Sequence, residues 1–579
     1  MLEKSSTVEV HLVKVPKPQP AAPPPKVRVL VNGQKLKVPY AATTGEVLKA
    51  AGFMNGPLSV LAAIVHHRCV DLDFPLMAET SIRPVTYAMR EGVLVYRHTA
   101  SLILLEAARQ LWDDAHVSIG QSLSNGYFWE IRCNDGEVFT HEHKNRLEVK
   151  MRELAAQDIP LRTEVVILQE AKRIFAAVGK DDKLKLLKSW WEPHVTLVYC
   201  GETCDIHHYP VAPRTGLIQH FALDFEPGGV VLRFPQRSAP DVVPPYERSP
   251  QLRRVHTETR EWLRLLGVQT VGELNELTLT GKAGDLIRIA EGLHEKKIAH
   301  IADQIAHREQ PPRLVLIAGP SASGKTTFSK RLSLQLRVNG IRPVGLSTDN
   351  FYVNRTDTPL DEHGKYDFES IEAIDLPLFN EVLSKLLAGE EVSTPRFDFQ
   401  SGERRPQEKW ATMRLAPDQV LLVEGIHGLN PRLTSGVTED EKFRVYVSAL
   451  TQLSIDNHNR IFTSDTRLLR RIVRDRMFRG YTAKQTITTW PSVRRGEQRW
   501  IFPYQEGADV MFNSALVYEH AVLRLYAERF LLEVPDDDPT FVTAYRLLRF
   551  IEHFVPIFDE TIPEISLLKE FIGKSYFDY

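Results

Sequence analysis

Cysteine is scarce in this sequence. Four residues, Cys69, Cys133, Cys200 and Cys204, are spread over 579 positions, too few for a disulfide framework. No apolar run approaches the ~20 residues that a membrane helix needs. The opening Met1-Leu-Glu-Lys-Ser-Ser lacks the apolar centre of a signal peptide. The expectation is a cytoplasmic protein without a membrane contact. Charge of one sign is missing as well: 72 Lys and Arg against 74 Asp and Glu give a net charge of −2. No overall field marks a nucleic-acid or anionic-membrane binder, so any polyanion site is local. There is no internal repeat.

What is present divides the chain into several α/β units. Residues 14–26 alternate proline with lysine and alanine and cannot form helix or sheet ladders, so 1–26 is expected to be a disordered, proline-rich start. Over 27–90 an alternating apolar pattern about Asn32-Gly33, followed by a capped helix from Thr44, predicts a small ubiquitin-like α+β unit. A second α+β unit over 91–237 contains a helix at Thr99–Leu111 and an amphipathic helix with Leu147, Met151 and Leu154 on one face. Four prolines between Arg237 and Pro250 mark a boundary, and 238–310 forms a linker and helical connector. From 311 to 579 strands and helices alternate, which implies a parallel sheet wrapped by helices.

The most informative segment is Arg313-Leu-Val-Leu-Ile-Ala-Gly-Pro-Ser-Ala-Ser-Gly-Lys-Thr-Thr327. It places Gly-x-x-x-x-Gly-Lys-Thr between an apolar strand and a helical pattern, the context of a phosphate-binding loop. Gly319 and Gly324 let the backbone turn so that its N–H groups, through Ser321, Ser323 and Thr327, face a triphosphate. Lys325 supplies a point charge and Thr326 a hydroxyl for Mg²⁺. The chain is expected to bind ATP or GTP. Asp349 lies just past the second strand, on the carboxyl edge where open α/β sheets bind ligands; it suits a general base, or else an Asx turn. Glu424 ends another apolar strand, where Mg²⁺-organising carboxylates sit. Arg467, Arg471 and Arg474 recur at helical spacing in an arginine-rich segment closed by Gly480. Such a stripe suits a lid over a transferring phosphate, or a solvated basic face.

Together these segments resemble the uridine kinase and phosphoribulokinase family over about 311–515. The resemblance implies a kinase using ATP and Mg, with Lys325 on the phosphates, Thr326 and Glu424 at Mg²⁺, Asp349 as base and Arg471, Arg474 and Arg479 in the lid. It also implies Asp367 as a ribose ligand. Tyr352, Phe397 and Phe399 are the other candidate acceptor contacts, the last two in the stretch that resembles the base-binding strand. Phe397 and Gly402 stand where that family has a base-contacting Tyr and His, and Tyr481 where a second lid Arg is expected, so the acceptor is expected to differ from a pyrimidine nucleoside. Trp490–Tyr504, rich in arginine and aromatics, fits an acceptor pocket, an interface or core.

The front half resembles threonyl-tRNA synthetases: 27–90 their TGS domain and 91–237 their editing-type domain. The match rests on Arg97-His-Thr-Ala-Ser-Leu102, Val117–Phe128, Leu147–Ala155 and Cys204-Asp-Ile-His-His208. The synthetases carry His-x-x-x-His on a helix and Cys-x-x-x-His downstream. This chain keeps His98, Cys204 and His208 but has Leu102 as the fourth. Three ligands and a water would still make a catalytic-type zinc site, and metal-free deacylation is a second alternative, yet the isobutyl group points to a vestigial, structural or repurposed cleft without metal. No aminoacylation core follows, so a synthetase is not expected.

The reading is a kinase phosphorylating a hydroxyl of a nucleoside or similar sugar-containing small molecule. The alternatives are a kinase for a non-nucleoside metabolite and an RNA- or aminoacyl-tRNA-binding protein with an ATP-driven switch. RNA contact by the front domains and homo-oligomer formation are left open.

Overall fold

The computed structural model describes residues 26–56, 58–112, 115–133, 137–362, 364–398 and 401–578. The proline-rich segment up to 25 and Phe399 lie outside the described residues. Among the described residues no helix is long and apolar enough to cross a membrane.

The fold is multidomain α/β. At the front, Lys26–Val31 and Gln34–Pro39 form a hairpin whose turn residues Asn32 and Gly33 both take positive φ, the backbone a tight two-residue turn requires. They join Thr80–Thr86, Val60–Val65 and Arg68–Val70 in a five-stranded mixed sheet packed on the helix Thr44–Ala50, whose Thr43 and Glu46 form a capping box. Next comes the helix Arg90–Leu111, beginning nine residues before the expected Thr99. Gly92 permits this: a Cβ there would stand 2.0 Å from the Thr86 carbonyl, so the first turn lies directly on the sheet's last strand. His98 is therefore well inside the helix. The helix His141–Ala156 buries Leu147, Met151 and Leu154 against a four-stranded antiparallel sheet, and a three-stranded sheet completes this unit.

Helices Pro250–Leu266, Val271–Leu279 and Ala283–Ala306 lead to the last unit. Its sheet has five parallel strands in the order Arg342–Ser347, Gln419–Glu424, Leu314–Ala318, Lys442–Ser448, Val510–Asn513. The strand before the phosphate loop is central and entirely buried, which fixes the loop at the carboxyl edge of the sheet. One apolar core is continuous from Ala171, Phe175 and Leu197 of the second unit through Ile287 and Ile298 of the connector to Phe328 and Ile472 of the last. Front and back are thus fused by burial as well as by chain.

Candidate active site

The phosphate loop is shaped by close approaches. A Cβ at Gly319 would stand 2.0 Å from the Val447 carbonyl, and Gly324 has a φ of +85°, so glycine is required at both. Lys325 Nζ lies 3.3 Å from the Pro320 carbonyl, folded over the loop it serves. The Thr326 hydroxyl is 3.3 Å from both oxygens of Glu424, which ends the neighbouring strand. Burial, and then the nearby Asp349, push the Glu424 carboxyl up to about 7. A carboxylate and a hydroxyl so placed suit a hard cation that would repay the desolvation.

Asp349 sits in the short helical turn Thr348–Phe351, its N–H donating to the Ser347 hydroxyl at 3.3 Å. Burial raises its carboxyl, and Lys325, Arg479 and Arg474 oppose that rise, so the carboxylate faces three cations at the loop. The arginine-rich helix is Thr463–Phe478, stopped by Arg479 and by Gly480 at φ +72°. Three of its guanidinium groups gather at Asp475: Arg471 at 3.2 Å, Arg474 at 2.9 Å and Arg479 at 3.8 Å. Arg471 also reaches the Ser321 hydroxyl at 2.9 Å.

The expected stripe of Arg467, Arg471 and Arg474 is split. Arg467 is buried, paired with Glu497, and donates to the Ser321 carbonyl at 3.1 Å. Arg470, which sequence reasoning missed, is equally buried, 2.6 Å from Glu519 and 3.5 Å from the Ala322 carbonyl. These two hold the outer backbone of the loop, where Ala322 takes a positive φ. A buried arginine with a carboxylate partner is a rigid strut rather than a mobile phosphate ligand.

On the acceptor side Tyr352 and Phe397 stack at an angle, ring centres 5.7 Å apart. Asp367 is half-buried, accepts from the Glu369 N–H at 3.2 Å and faces Arg499 and Arg495 at the rim. Glu369, two residues on, is the deeper group. One of its oxygens is buried without a hydrogen-bond partner. Burial, partly offset by Arg471 and Lys325, pushes its carboxyl up to about 7. Gly496 makes room for it: a Cβ there would be 2.1 Å from Glu369 Cβ. In the Trp490–Tyr504 stretch, Trp490 is core, beneath Arg467, whereas Arg495 meets Asp361 at 2.9 Å.

The synthetase-like cleft is built differently. His98 is half-buried, and desolvation followed by His207 lowers its imidazole to about 4. Cys204 lies on the strand Thr203–Ile206, its thiol pushed up to about 11 mainly by burial. His208 Nε2 is 3.1 Å from Asp456 of the phosphate-loop unit. Around that contact Lys183 Nζ meets Asp205 at 2.5 Å and Asp456 at 3.2 Å, and His458 Nδ1 meets Asp205 at 2.6 Å. The backbone of Asn457 donates to Asp182 at 2.8 Å and accepts from the Ile119 N–H at 2.7 Å. Residues 456–458 of the phosphate-loop unit thus bond His208 and its neighbours Lys183, Asp205 and Asp182. Leu102 is buried. Among the described residues no group of three or more His, Cys, Asp or Glu is arranged to hold a metal ion.

Comparison with known proteins agrees with this division. Residues 314–519 match the Phosphoribulokinase / Uridine kinase family, and the chain carries a kinase domain of that family in its C-terminal part. The N-terminal region is similar to threonine–tRNA ligases. It is 30% identical over 196 residues to that of Syntrophotalea carbinolica and 30% over 199 residues to that of Thermotoga neapolitana, in each case 34% of this chain and 30% of the relative. The chain spans under a third of the length of these relatives. Among solved structures, one described as a possible uridine kinase from Bacillus stearothermophilus is 19% identical, covering 38% of this chain and 97% of its own, with a TM-score of 0.27. D-glycerate 3-kinase from Cryptococcus neoformans is 16% identical over 48% of this chain and 89% of its own, with a TM-score of 0.20.

Proposed function

We propose that the chain is an ATP- and Mg²⁺-dependent kinase that phosphorylates a hydroxyl of a nucleoside or similar sugar-containing small molecule. The observation that carries this reading is the half-buried Asp349 carboxylate facing Lys325, Arg474 and Arg479, beside the paired Thr326 and Glu424. A nucleotide switch has no use for such a base; a hydroxyl acceptor does.

Thr326 and Glu424 would hold Mg²⁺, and the loop from Gly319 to Thr327, with Ser321 and Ser323, the triphosphate. Bound there, Mg·ATP supplies an activated γ-phosphoryl group. Asp349 takes the proton of the acceptor hydroxyl as its oxygen attacks phosphorus and ADP leaves. Lys325 and the lid groups Arg471, Arg474 and Arg479 balance the charge on the transferring group, which asks Asp475 to give up part of its hold on them. Tyr352 and Phe397 line the acceptor side, Glu369 accepts from acceptor hydroxyls, and Asp367 stands at its rim. Phe397, Gly402 and Tyr481 remove donors that would read a pyrimidine, and buried donors and acceptors dominate substrate discrimination. Uridine is therefore expected to be a poor acceptor. The same loss favours, as a second reading, a sugar-like acceptor without a base.

In the front half His98, Cys204 and His208 belong to a repurposed cleft that serves as a dock for the kinase loop 456–458. The test is ADP release across a panel of nucleosides, sugars and sugar acids with ATP or GTP. A hydroxylated ring compound should give the highest kcat/KM; a clear optimum at uridine or cytidine, or no turnover with any hydroxyl compound, would overturn the acceptor reading.

A further inference from the structure

The C-terminal segment crosses the phosphate loop. The Ser566 hydroxyl lies 2.5 Å from Glu291 of the connector, to which Tyr518 also donates at 2.6 Å. From this anchor Leu567 fills the space over Gly324, where a Cβ would meet its Cδ2 at 1.8 Å. One turn on, Glu570 accepts from both the backbone N–H of Thr327, at 3.2 Å, and its hydroxyl, at 2.7 Å. Phe571 lies beneath Arg470, 5.1 Å away, the same guanidinium that supports the Ala322 carbonyl. Lys330, one turn along the phosphate-loop helix, bonds the Asp578 carbonyl.

The donors that Glu570 occupies are those of the first turn of the phosphate-loop helix, which is where phosphate oxygens are received. Its charge also reaches the cation side, since Glu570 adds to the rise of Glu424 after burial and Asp349. We propose that Glu570 is a built-in phosphate mimic, and that the segment Leu567–Ile572 closes the phosphate loop until a nucleoside polyphosphate displaces it. This rests on the phosphate loop being a nucleotide site. A carboxylate and a phosphate are both pure acceptors of like charge, so they compete for Thr327 rather than share it. Apparent nucleotide affinity is then the intrinsic affinity reduced by the fraction of molecules with Glu570 released. The segment's root on Glu291 links this release to the connector helix and, through it, to the front half.

Calorimetric titration with Mg·ADP, without acceptor, compares the wild-type chain with Glu570→Ala. The variant is expected to bind roughly three- to tenfold more tightly. In the wild type, amide exchange across 566–578 is expected to quicken when Mg·ADP is added. Equal or weaker binding by Glu570→Ala would overturn the proposal, as would slower exchange in that segment on binding. Those outcomes leave the nucleotide site standing, whereas failure of both proteins to bind Mg·ADP or Mg·GDP would remove the nucleotide reading and this proposal with it.

Discussion

Around the phosphate loop, burial lifts Asp349, Glu369 and Glu424 towards their neutral forms, and cations stand near them without full pairing. In the synthetase-like half burial is deeper, and Lys183, Asp205, Asp456, His208 and His458 meet one another at 2.5 to 3.2 Å. The two regions use the same residue types to opposite ends. A buried carboxylate without a partner is costly and persists where an arriving ligand repays the cost. A buried set whose charges answer one another has nothing left to offer a ligand and acts as an interface. Clusters of titratable groups are therefore sorted by what is left unpaired, not by how many acids and imidazoles they contain.

The sharpest way to break this contrast is at Asp349. Asp349→Asn should lower kcat on a verified acceptor by about 10²–10⁴-fold while nucleotide affinity stays near wild type, whereas Lys325→Ala should lose both. Near-normal turnover in Asp349→Asn would take the base role away from it. Next in size is Lys183→Met, which leaves Asp205 and Asp456 buried without their cation and should cost about 3–5 kcal/mol in denaturant unfolding; a loss below about 1 kcal/mol would mean that the network does not tie the halves together. The network should also respond to acid. Burial opposes the charge of Asp205, but Lys183 and His458 outweigh it and hold its carboxyl at about 2, below its unfolded value. The stability it contributes is therefore present above the unfolded carboxyl range, about pH 4, and lost as pH falls towards 2. The melting temperature between pH 5 and pH 3 should fall less steeply in Asp205→Asn than in the wild type; identical slopes would count against the pairing.

A smaller effect is expected at Glu369. Glu369→Gln should raise the acceptor KM by about tenfold with a lesser change in kcat, and Asp367→Asn at the rim should do less; the reverse ranking would restore Asp367 as the inner ligand. Least of all, Cys204→Ala should change stability by no more than about 1 kcal/mol and leave kinase turnover alone, and protein purified without chelator should carry no stoichiometric zinc. A full equivalent of zinc that vanished in Cys204→Ala would make the cleft a working metal site.

The parts of this site that could be read from sequence are those where chemistry dictates residue and spacing together. The phosphate loop is one, and the acids at strand ends, Asp349 and Glu424, are others, because a parallel sheet sends every strand end to the same edge. Glu369 escaped because it lies in an irregular turn before the short helical turn Ile371–Ala373, where no periodicity distinguishes it from Asp367; its depth comes from Gly496, over a hundred positions later. Arg467 and Arg470 were misjudged for another reason. Helical spacing says which arginines share a face, not whether that face meets solvent, and their partners Glu497 and Glu519 lie on other elements. The early start of the helix at Arg90 had a similar cause: Val93, Val95 and Tyr96 favour a strand locally, and packing on the first sheet decided otherwise.

His458 and its partner Asp205 are 253 positions apart, and that separation has a consequence for biosynthesis. At usual elongation rates of about 5–20 residues per second, the front half leaves the ribosome roughly 10–50 s before the loop that bonds Asp205 and His208 exists. During that interval Lys183 and Asp205 have each other but not Asp456 or His458. The nascent front half then lacks both that loop and the connector and C-terminal side chains that share its apolar core. Slow translation across the connector would lengthen the wait, and a chain cut before Asp456 would never leave it.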